Sequence, residues 1–314
     1  MSACMACGSG RAVPLYLQTD RLYHSTTREF AVVRCESCGL MRLDPQPSPE
    51  ELRQYYPESY WFAPDAGAAG RLEEAYRRAV LRDHVRFVES ALRGCSAQGP
   101  LLDVGSGGGL FLGMMRARGF RGVGLDVSPR AAAVAWRRQG VPSICAHLED
   151  APLRPGAFAG ITMFHVLEHL PDPRACLIAA RSLLAPEGRL IVQVPNAASW
   201  QYRLLGRRWN GLDVPRHLFD YRASDIEKLL YSCGFDALRR KYFSWRDNPA
   251  GLASSLAPGL DPMARRVRRI PETPAARLAK DLAYFALTVA ALPFAGAEAA
   301  FRAGATVMIE ARRL

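Results

Sequence analysis

A glycine turn that follows an apolar stretch constrains this chain more than any other feature. Residues 101–109 read Leu-Leu-Asp-Val-Gly-Ser-Gly-Gly-Gly, and from Leu110 onward apolar side chains recur at helical spacing. The pattern predicts a strand, a tight turn and a helix. Because glycine tolerates positive φ and has no Cβ, Gly105, Gly107 and Gly109 would let a nucleotide-like ligand approach the free N–H groups at the helix start.

The spacing of these glycines and of two nearby acids narrows the choice of ligand. A dinucleotide-binding turn has its third glycine three places after the second, where this chain has Leu110, so NAD and FAD are disfavoured. Asp103 stands two residues before the first glycine, where it could meet an ammonium group. A second apolar strand, predicted over 122–126, ends in Asp126, at the distance along the chain where a strand-end carboxylate meets ribose hydroxyls.

Together these features resemble motifs I and II of the class I S-adenosylmethionine-dependent methyltransferases, and the resemblance covers about 99–312. It implies that S-adenosylmethionine is the cofactor, with Asp103 at its amino group and Asp126 at its ribose. The cofactor-binding residues that the resemblance implies are Asp103, Gly105, Ser106, Gly107, Gly109, Asp126, Val127, Leu148 and His165.

The order of the predicted elements indicates the fold. Strand and helix patterns alternate five times over 101–195, which predicts a parallel sheet with helices on both faces and a ligand at the carboxyl ends of the strands. A last strand over 305–312 follows an insertion at 245–303 and matches the antiparallel strand seven of the methyltransferase sheet. The predicted fold class is therefore α/β, a Rossmann-like seven-stranded methyltransferase sheet with a small N-terminal zinc ribbon.

Two Cys-x-x-Cys-Gly pairs near the N-terminus predict a metal site. Cys4 and Cys7 form the first pair and Cys35 and Cys38 the second, and four thiolates give the closed tetrahedral site that is typical of structural zinc. A pair of redox dithiols is the alternative. Metal-bound thiolates suit a reducing compartment, so we predict a zinc ribbon over 1–47 in a cytoplasmic protein, with membrane association left open.

Residues 48–98 are predicted to form a helical linker that leads into an S-adenosylmethionine-binding domain over 99–314. A capped helix starts after Ser48, and a second helix is predicted over 71–93. An aromatic cluster in the linker either packs the ribbon onto the main domain or forms a wall of the acceptor pocket. Its members are Tyr55, Tyr56, Tyr60, Trp61 and Phe62.

Residues 197–221 are long for a connection between a strand and a helix, so we predict an acceptor-binding lid. His217 is the predicted general base, because imidazole accepts a proton near neutral pH, and Arg216 is the predicted anchor for an anion or carboxylate. A bracing role within the lid is the alternative for His217. Glu168 and His169 are expected to orient their loop rather than to catalyse.

Charge and hydropathy bear on the partners. The chain has 41 Lys+Arg against 30 Asp+Glu, a net charge of +11, which allows nucleic acid, anionic lipid or phosphorylated substrates but equally describes a solvated basic surface. The insertion holds an apolar run of 16 residues, 282–297, which is shorter than the roughly 20 residues of a membrane span. We expect a helical pair that covers the domain, with peripheral membrane contact through 265–301 as the rival.

The N-terminal features sharpen the expected function. A tetracysteine ribbon, an Asp-Pro-Gln-Pro joint at 44–47 and a tyrosine cluster ahead of such a domain resemble bacterial sugar C-methyltransferases and related small-molecule methyltransferases. The resemblance implies in-line methyl transfer to a small polar or lipid-linked metabolite, such as a sugar or a polyketide. An RNA methyltransferase and a non-catalytic zinc-ribbon scaffold stay open as alternatives. The sequence predicts neither the methylated atom nor the oligomeric state.

Overall fold

The computed structural model describes residues 2–56 and 68–314. The predicted cluster members Tyr60, Trp61 and Phe62 lie outside these described residues. The strands are β1 Ala12–Gln18, β2 Phe30–Cys35, β3 Met41–Leu43, β4 Leu101–Val104, β5 Gly122–Asp126, β6 Ser143–Cys145, β7 Phe158–Phe164, β8 Leu184–Pro195, β9 Phe219–Asp220, β10 Phe235–Lys241 and β11 Thr306–Arg313. The α-helices are α1 Pro49–Gln54, α2 Ala68–Val80, α3 Arg82–Arg93, α4 Leu110–Arg116, α5 Pro129–Val134, α6 Pro173–Leu183, α7 Trp200–Leu205, α8 Ala223–Ser232, α9 Asn248–Leu256, α10 Pro262–Val267, α11 Pro274–Ala290 and α12 Leu292–Ala300.

A seven-stranded sheet forms the main domain, in the order β10-β11-β8-β7-β4-β5-β6. Strand β4 pairs in parallel with β5 and β7, whereas β11 runs antiparallel to both β8 and β10. All four residues of β4 are buried, as expected for a central strand covered on both faces. The predicted fold class is confirmed, including the antiparallel strand seven, which is β11.

Two predicted helices differ from the structure in detail. Capping by Ser128 starts α5 at Pro129 as expected, but the helix continues as a π-helical turn over Ala135–Gln139. The helix predicted over 71–93 is divided into α2 and α3. Both divisions leave the apolar periodicity nearly unchanged, so the sequence pattern could not show them.

The N-terminal module and the predicted lid share a second sheet, in the order β1-β2-β3-β9. Strand β9 comes from the lid and pairs antiparallel with β3, with Met41 opposite Asp220. Leu212, Val214 and Leu218 of the same segment are buried. Residues 197–221 are therefore packed against the N-terminal module. The prediction of an acceptor-binding lid over 197–221 did not anticipate this pairing.

The insertion before β11 folds into four helices, α9 to α12, where the sequence led us to expect a helical pair. The stretch Pro274–Ala300, which contains α11 and α12, is long and apolar enough to cross a membrane by length and composition alone. This stretch is longer than the predicted apolar run. Leu278, Leu282, Phe285 and Val289 lie exposed along α11, and peripheral membrane contact through this region stays a prediction.

The segment predicted for such contact begins with four arginines, Arg265, Arg266, Arg268 and Arg269, and these are only partly at the surface. Arg265 is buried and donates hydrogen bonds to Glu272 and Asp281. Arg266 and Arg269 remain exposed. Part of the basic charge that the sequence shows in this region is therefore neutralised inside the fold.

Candidate functional site

The glycine turn between β4 and α4 has the predicted backbone. Gly105, Gly107 and Gly109 all have positive φ, between 52° and 73°. A Cβ at Gly105 would lie 2.8 Å from Val166, and one at Gly109 would lie 2.8 Å from Ala135, so the protein itself fills the space there. A Cβ at Gly107 would meet nothing within 4 Å. The turn is closely packed at its two ends and open at its centre.

Asp126 faces this open turn from the end of β5. One carboxylate oxygen accepts the Gly107 N–H at 2.9 Å, and the other accepts the Ser128 N–H at 2.8 Å. Burial raises the pKa of Asp126, and the two N–H groups partly oppose that shift. Each carboxylate oxygen keeps a further lone pair. The buried hydroxyl of Ser106, in the same turn, has no hydrogen-bond partner in the part of the chain that the structure describes.

Asp103 is the second carboxylate at this edge. Its Oδ1 accepts a hydrogen bond from the Thr162 hydroxyl at 2.6 Å, across the β4–β7 pair. Burial, with a smaller contribution from Asp126, raises the pKa of Asp103 to about 7. Such a carboxyl would be stabilised as the carboxylate by a cationic ligand. Of the other two predicted contacts nearby, Val127 is exposed and Leu148 is buried.

His165 follows β7 with φ +57°, at the carboxyl edge where it was predicted. Its Nδ1 lies 3.0 Å from Glu168 Oε1, and its Nε2 lies 3.5 Å from Asp247 Oδ2. Burial lowers the pKa of His165, but the carboxylates of Asp247 and Glu168 outweigh it and raise the pKa to about 9. The two carboxylates therefore favour the protonated form of the imidazole.

Sequence reasoning missed Asp247. It accepts hydrogen bonds from Gln193 at 2.8 Å and Ser244 at 2.6 Å, and it lies 3.8 Å from His84 of α3. The carboxylate thus joins the insertion to the carboxyl ends of β7 and β8. Its only signal in the sequence is an acid just before the Asn248-Pro249 helix start, which a helix cap would explain equally well.

Glu168, His169 and His217 come together on the other side of His165. One ligand atom from each lies within 4.8 Å of the others, and the imidazole centroids are 4.6 Å apart. Burial, followed by the charge of His217, lowers the pKa of His169 to about 4. The hydroxyl of Tyr56 lies 2.9 Å from His169 Nδ1. The structure thus groups the predicted base with two residues that the sequence suggested only as loop supports.

Arg216 points away from this group into the protein. Its guanidinium bonds both oxygens of Asp20 at 2.9 Å and one oxygen of Asp213 at 2.7 Å, and it also donates to the Tyr55 carbonyl. The side chain is fully buried. Its donors are directed at these internal acceptors, so the geometry does not support the predicted role as an anchor for a substrate anion. Arg216 instead ties the 197–221 segment to the N-terminal module.

The four predicted metal ligands lie together. Cys4 Sγ is 3.6 Å from Cys38 Sγ, and Cys7 Sγ is 3.5 Å from Cys35 Sγ. Zinc–sulfur bonds of about 2.3 Å in a tetrahedron give an edge of about 3.8 Å, so the spacing fits one metal ion. Burial raises the pKa of Cys35, but the N–H groups of Cys38 and Ser37 outweigh it and lower the pKa to about 6, whereas burial raises the pKa of Cys38 to about 12.

Comparison with known proteins agrees with this geometry. Residues 72–239 match the family model described as a methyltransferase domain. The chain is 33% identical over 129 residues to the ubiquinone biosynthesis O-methyltransferase of Chromobacterium violaceum, covering 38% of this chain and 56% of that protein. The chain is 29% identical over 175 residues to the Xanthomonas euvesicatoria protein of the same name, and the match covers 49% of this chain and 70% of that protein. The chain thus spans little more than half the length of the first of these relatives.

Solved structures share the fold at low sequence identity. The Burkholderia thailandensis 1,6-didemethyltoxoflavin-N1-methyltransferase, solved with its substrate and S-adenosylhomocysteine, superposes with a TM-score of 0.50 at 16% identity over 96% of this chain and 98% of that one. The magnesium protoporphyrin IX methyltransferase of Synechocystis, with bound S-adenosylhomocysteine, superposes with a TM-score of 0.50 at 14% identity. That match covers 85% of this chain and 100% of the other. At these identities the similarity concerns the fold.

Proposed function

Because the chain belongs to the methyltransferase domain family, we propose that it transfers a methyl group from S-adenosylmethionine to an oxygen atom of a small molecule. The observation that carries this proposal is the glycine turn that is open at Gly107 and has the Asp126 carboxylate fixed against it. The relatives named as O-methyltransferases support oxygen as the acceptor atom and a small molecule as the substrate. Whether that molecule is a sugar, a polyketide or a lipid-linked metabolite is left to the test below.

The residues at the turn fit the cofactor. Asp126 retains lone pairs for the ribose hydroxyls, Ser106 would contact the cofactor from the same turn, and Asp103 would pair with the amino group. Val127, Leu148 and His165 complete the proposed contacts. When bound, S-adenosylmethionine supplies an electrophilic methyl group on a sulfonium, which is also a good leaving group. The protein's own contribution is then to align the acceptor.

An acceptor hydroxyl must also lose its proton, and we propose that His217 promotes that loss, in the simplest case as general base. His217 Nδ1 lies 2.7 Å from the Gly211 carbonyl oxygen. Because that oxygen can only accept a hydrogen bond, Nδ1 carries the proton and the neutral imidazole keeps a lone pair on Nε2. Arg216 is a positioning residue in this scheme, since it fixes the segment that carries His217. We further propose that the four cysteines bind one structural zinc ion.

Replacing Asp126 with alanine tests the cofactor site. Hydrogen bonds to a charged group contribute about 1.5–3 kcal/mol each, so we expect S-adenosylhomocysteine to bind about 100-fold more weakly to D126A by isothermal titration calorimetry. Asp236→Ala is the matched control, because that exposed carboxylate pairs with Arg312 at the opposite edge of the sheet. Unchanged affinity in D126A would contradict the assignment.

The same proteins test the reaction. Incubation with S-adenosylmethionine labelled on the methyl group and a panel of hydroxyl-bearing acceptors, including catechols, sugars and polyketides, should label one class with the wild type and with D236A, and none with D126A. Label transferred to RNA instead would favour the nucleic-acid alternative. Cofactor binding with no transfer to any acceptor would favour a scaffold.

Asp103 makes cofactor binding depend on pH. Its pKa is about 7 in the protein without ligand, and the carboxylate form is the one that pairs with an ammonium group. Affinity for S-adenosylhomocysteine should therefore be highest above pH 7 and fall up to about tenfold per pH unit below it. Calorimetry between pH 5.5 and 8.5 measures this dependence. Asp103→Asn should bind weakly at every pH, with a flatter profile, and a steep profile in that variant would assign the effect to another group.

A further inference from the structure

The group formed by Glu168, His169 and His217 has the composition of a metal site. Two imidazoles and one carboxylate are a ligand set that divalent transition metals use in proteins while retaining open coordination positions. The ligand atoms lie within 4.8 Å of one another. Ligands of one zinc ion lie about 3.4 Å apart at bond lengths of about 2.1 Å. Side-chain movements of about 1 Å would bring these atoms onto one ion.

The hydrogen bonds of the two histidines leave one ring nitrogen of each as a ligand. Nδ1 of His169 lies 3.0 Å from the Arg216 carbonyl oxygen, and Nδ1 of His217 lies 2.7 Å from the Gly211 carbonyl oxygen. A carbonyl oxygen only accepts, so each Nδ1 carries the proton and each Nε2 keeps its lone pair. Metal-binding histidines are held in this way, with the second ring nitrogen donating to a backbone carbonyl or a carboxylate.

Glu168 provides an independent observation. Its Oε1 bonds His165 at 3.0 Å, but its Oε2 is buried and has no hydrogen-bond partner within residues 2–56 and 68–314. The residue as a whole is 0% exposed. A buried carboxylate oxygen without a partner costs free energy. A cation between Glu168 and the two histidines would satisfy that oxygen.

We propose that Glu168, His169 and His217 bind one divalent transition-metal ion, of the class of Zn²⁺, which holds the acceptor hydroxyl of the proposed methyl transfer. This inference rests on the proposed function for its chemical role, although the ion site can be tested without it. The coordinated hydroxyl loses its proton to water because the cation lowers its pKa. The resulting oxygen anion forms the bond to the methyl carbon as the sulfur–methyl bond breaks, which leaves neutral S-adenosylhomocysteine. His217 then acts as a ligand instead of taking the proton itself.

The experiment counts metal ions per chain. Purified protein is dialysed against Zn²⁺, passed through a desalting column and analysed by inductively coupled plasma mass spectrometry. We expect two ions per chain in the wild type, one at the four cysteines and one at this site. Glu168→Gln, which keeps the side-chain volume, should retain one ion, and so should His217→Ala. His147→Ala, at an exposed histidine, is the matched control and should retain two.

A second measurement keeps the proposal testable if a variant does not fold. Mn²⁺ is added to wild type that has been loaded with one equivalent of Zn²⁺, which fills the four-cysteine site because thiolates prefer zinc, and bound Mn²⁺ is followed by the loss of the free-ion signal in electron paramagnetic resonance. Saturable binding of one Mn²⁺ that excess Zn²⁺ displaces supports the site. One ion per chain in the wild type, the same count in E168Q and no Mn²⁺ binding would overturn it. The measurements on D126A would still test the methyl transfer after that outcome. His217 would then remain its proposed general base.

Discussion

Replacing Cys35 with serine is expected to abolish zinc binding at the four cysteines and to lower the thermal unfolding midpoint by on the order of 10 °C. A structural zinc ion contributes its binding free energy to folding, and three thiolates do not close a tetrahedral site. We expect the loss of stability to extend beyond the N-terminal module, because β3 pairs with β9 of the main domain. We therefore expect C35S to lose order in 197–221 as well. Zinc content and calorimetry measure the first two effects.

Cys95→Ser is the matched control for this variant. Cys95 lies after α3, away from the cluster, and its thiol bonds the Leu92 carbonyl at 3.3 Å, a bond that serine can keep. Its zinc content and midpoint should equal those of the wild type. A C35S protein with full zinc and an unchanged midpoint would contradict the zinc ribbon. Wild-type protein that holds two disulfides and no zinc would support the redox interpretation.

Replacing Arg216 with alanine is expected to lower the free energy of unfolding by about 3–5 kcal/mol, the usual cost of leaving a buried partner charge uncompensated. Arg216 is the partner of Asp20 and Asp213, and both it and Asp20 are fully buried. Burial raises the pKa of Asp20, but Arg216 outweighs that effect and holds the pKa at about 2. Chemical denaturation of R216A and wild type measures the difference.

The pH dependence of that difference identifies its cause. In the wild type the lowered pKa of Asp20 contributes stability that is present above its unfolded pKa of about 3.9 and is lost as the pH falls toward 2. Without Arg216, burial alone raises the pKa of Asp20, so R216A should lose stability as the pH rises from about 4 to 7. Arg312→Ala, which removes an exposed ion pair, should cost less than about 1 kcal/mol. A pH-independent difference in R216A would indicate lost packing instead.

Features that depend on neighbours in the chain were predictable. The glycine turn, the Ser128 cap and the two cysteine pairs each occupy a few consecutive residues, and the structure shows the turn and the cap as expected and brings the cysteines together. The parallel sheet followed from the alternation of strand and helix patterns, since successive parallel strands need a crossover between them. These local rules apply whatever the rest of the chain does.

The two-residue strand β9 shows where such rules stop. Two residues are too few for an alternating pattern, so the sequence showed 197–221 only as a long connection, which we predicted to be a lid. In the structure β9 completes the sheet of the N-terminal module. The same limit explains why the sequence could not show the contacts of Arg216. A positive residue beside a predicted base suggests an anion anchor, and only its contact with Asp20, 196 residues away, shows that the charge is already satisfied.

The class of sheet, the glycine turn with a carboxylate at the end of each flanking strand, and the grouping of the four cysteines could be predicted from the sequence, because each depends on the type and spacing of residues close together in the chain. The folded chain was needed to see that Glu168, His169 and His217 lie together, that Asp247 contacts His165, and that Arg216 faces inward. These arrangements depend on which distant segments pack together and on which buried polar groups find partners there. That information lies in the packing of the whole chain rather than in any one stretch of it.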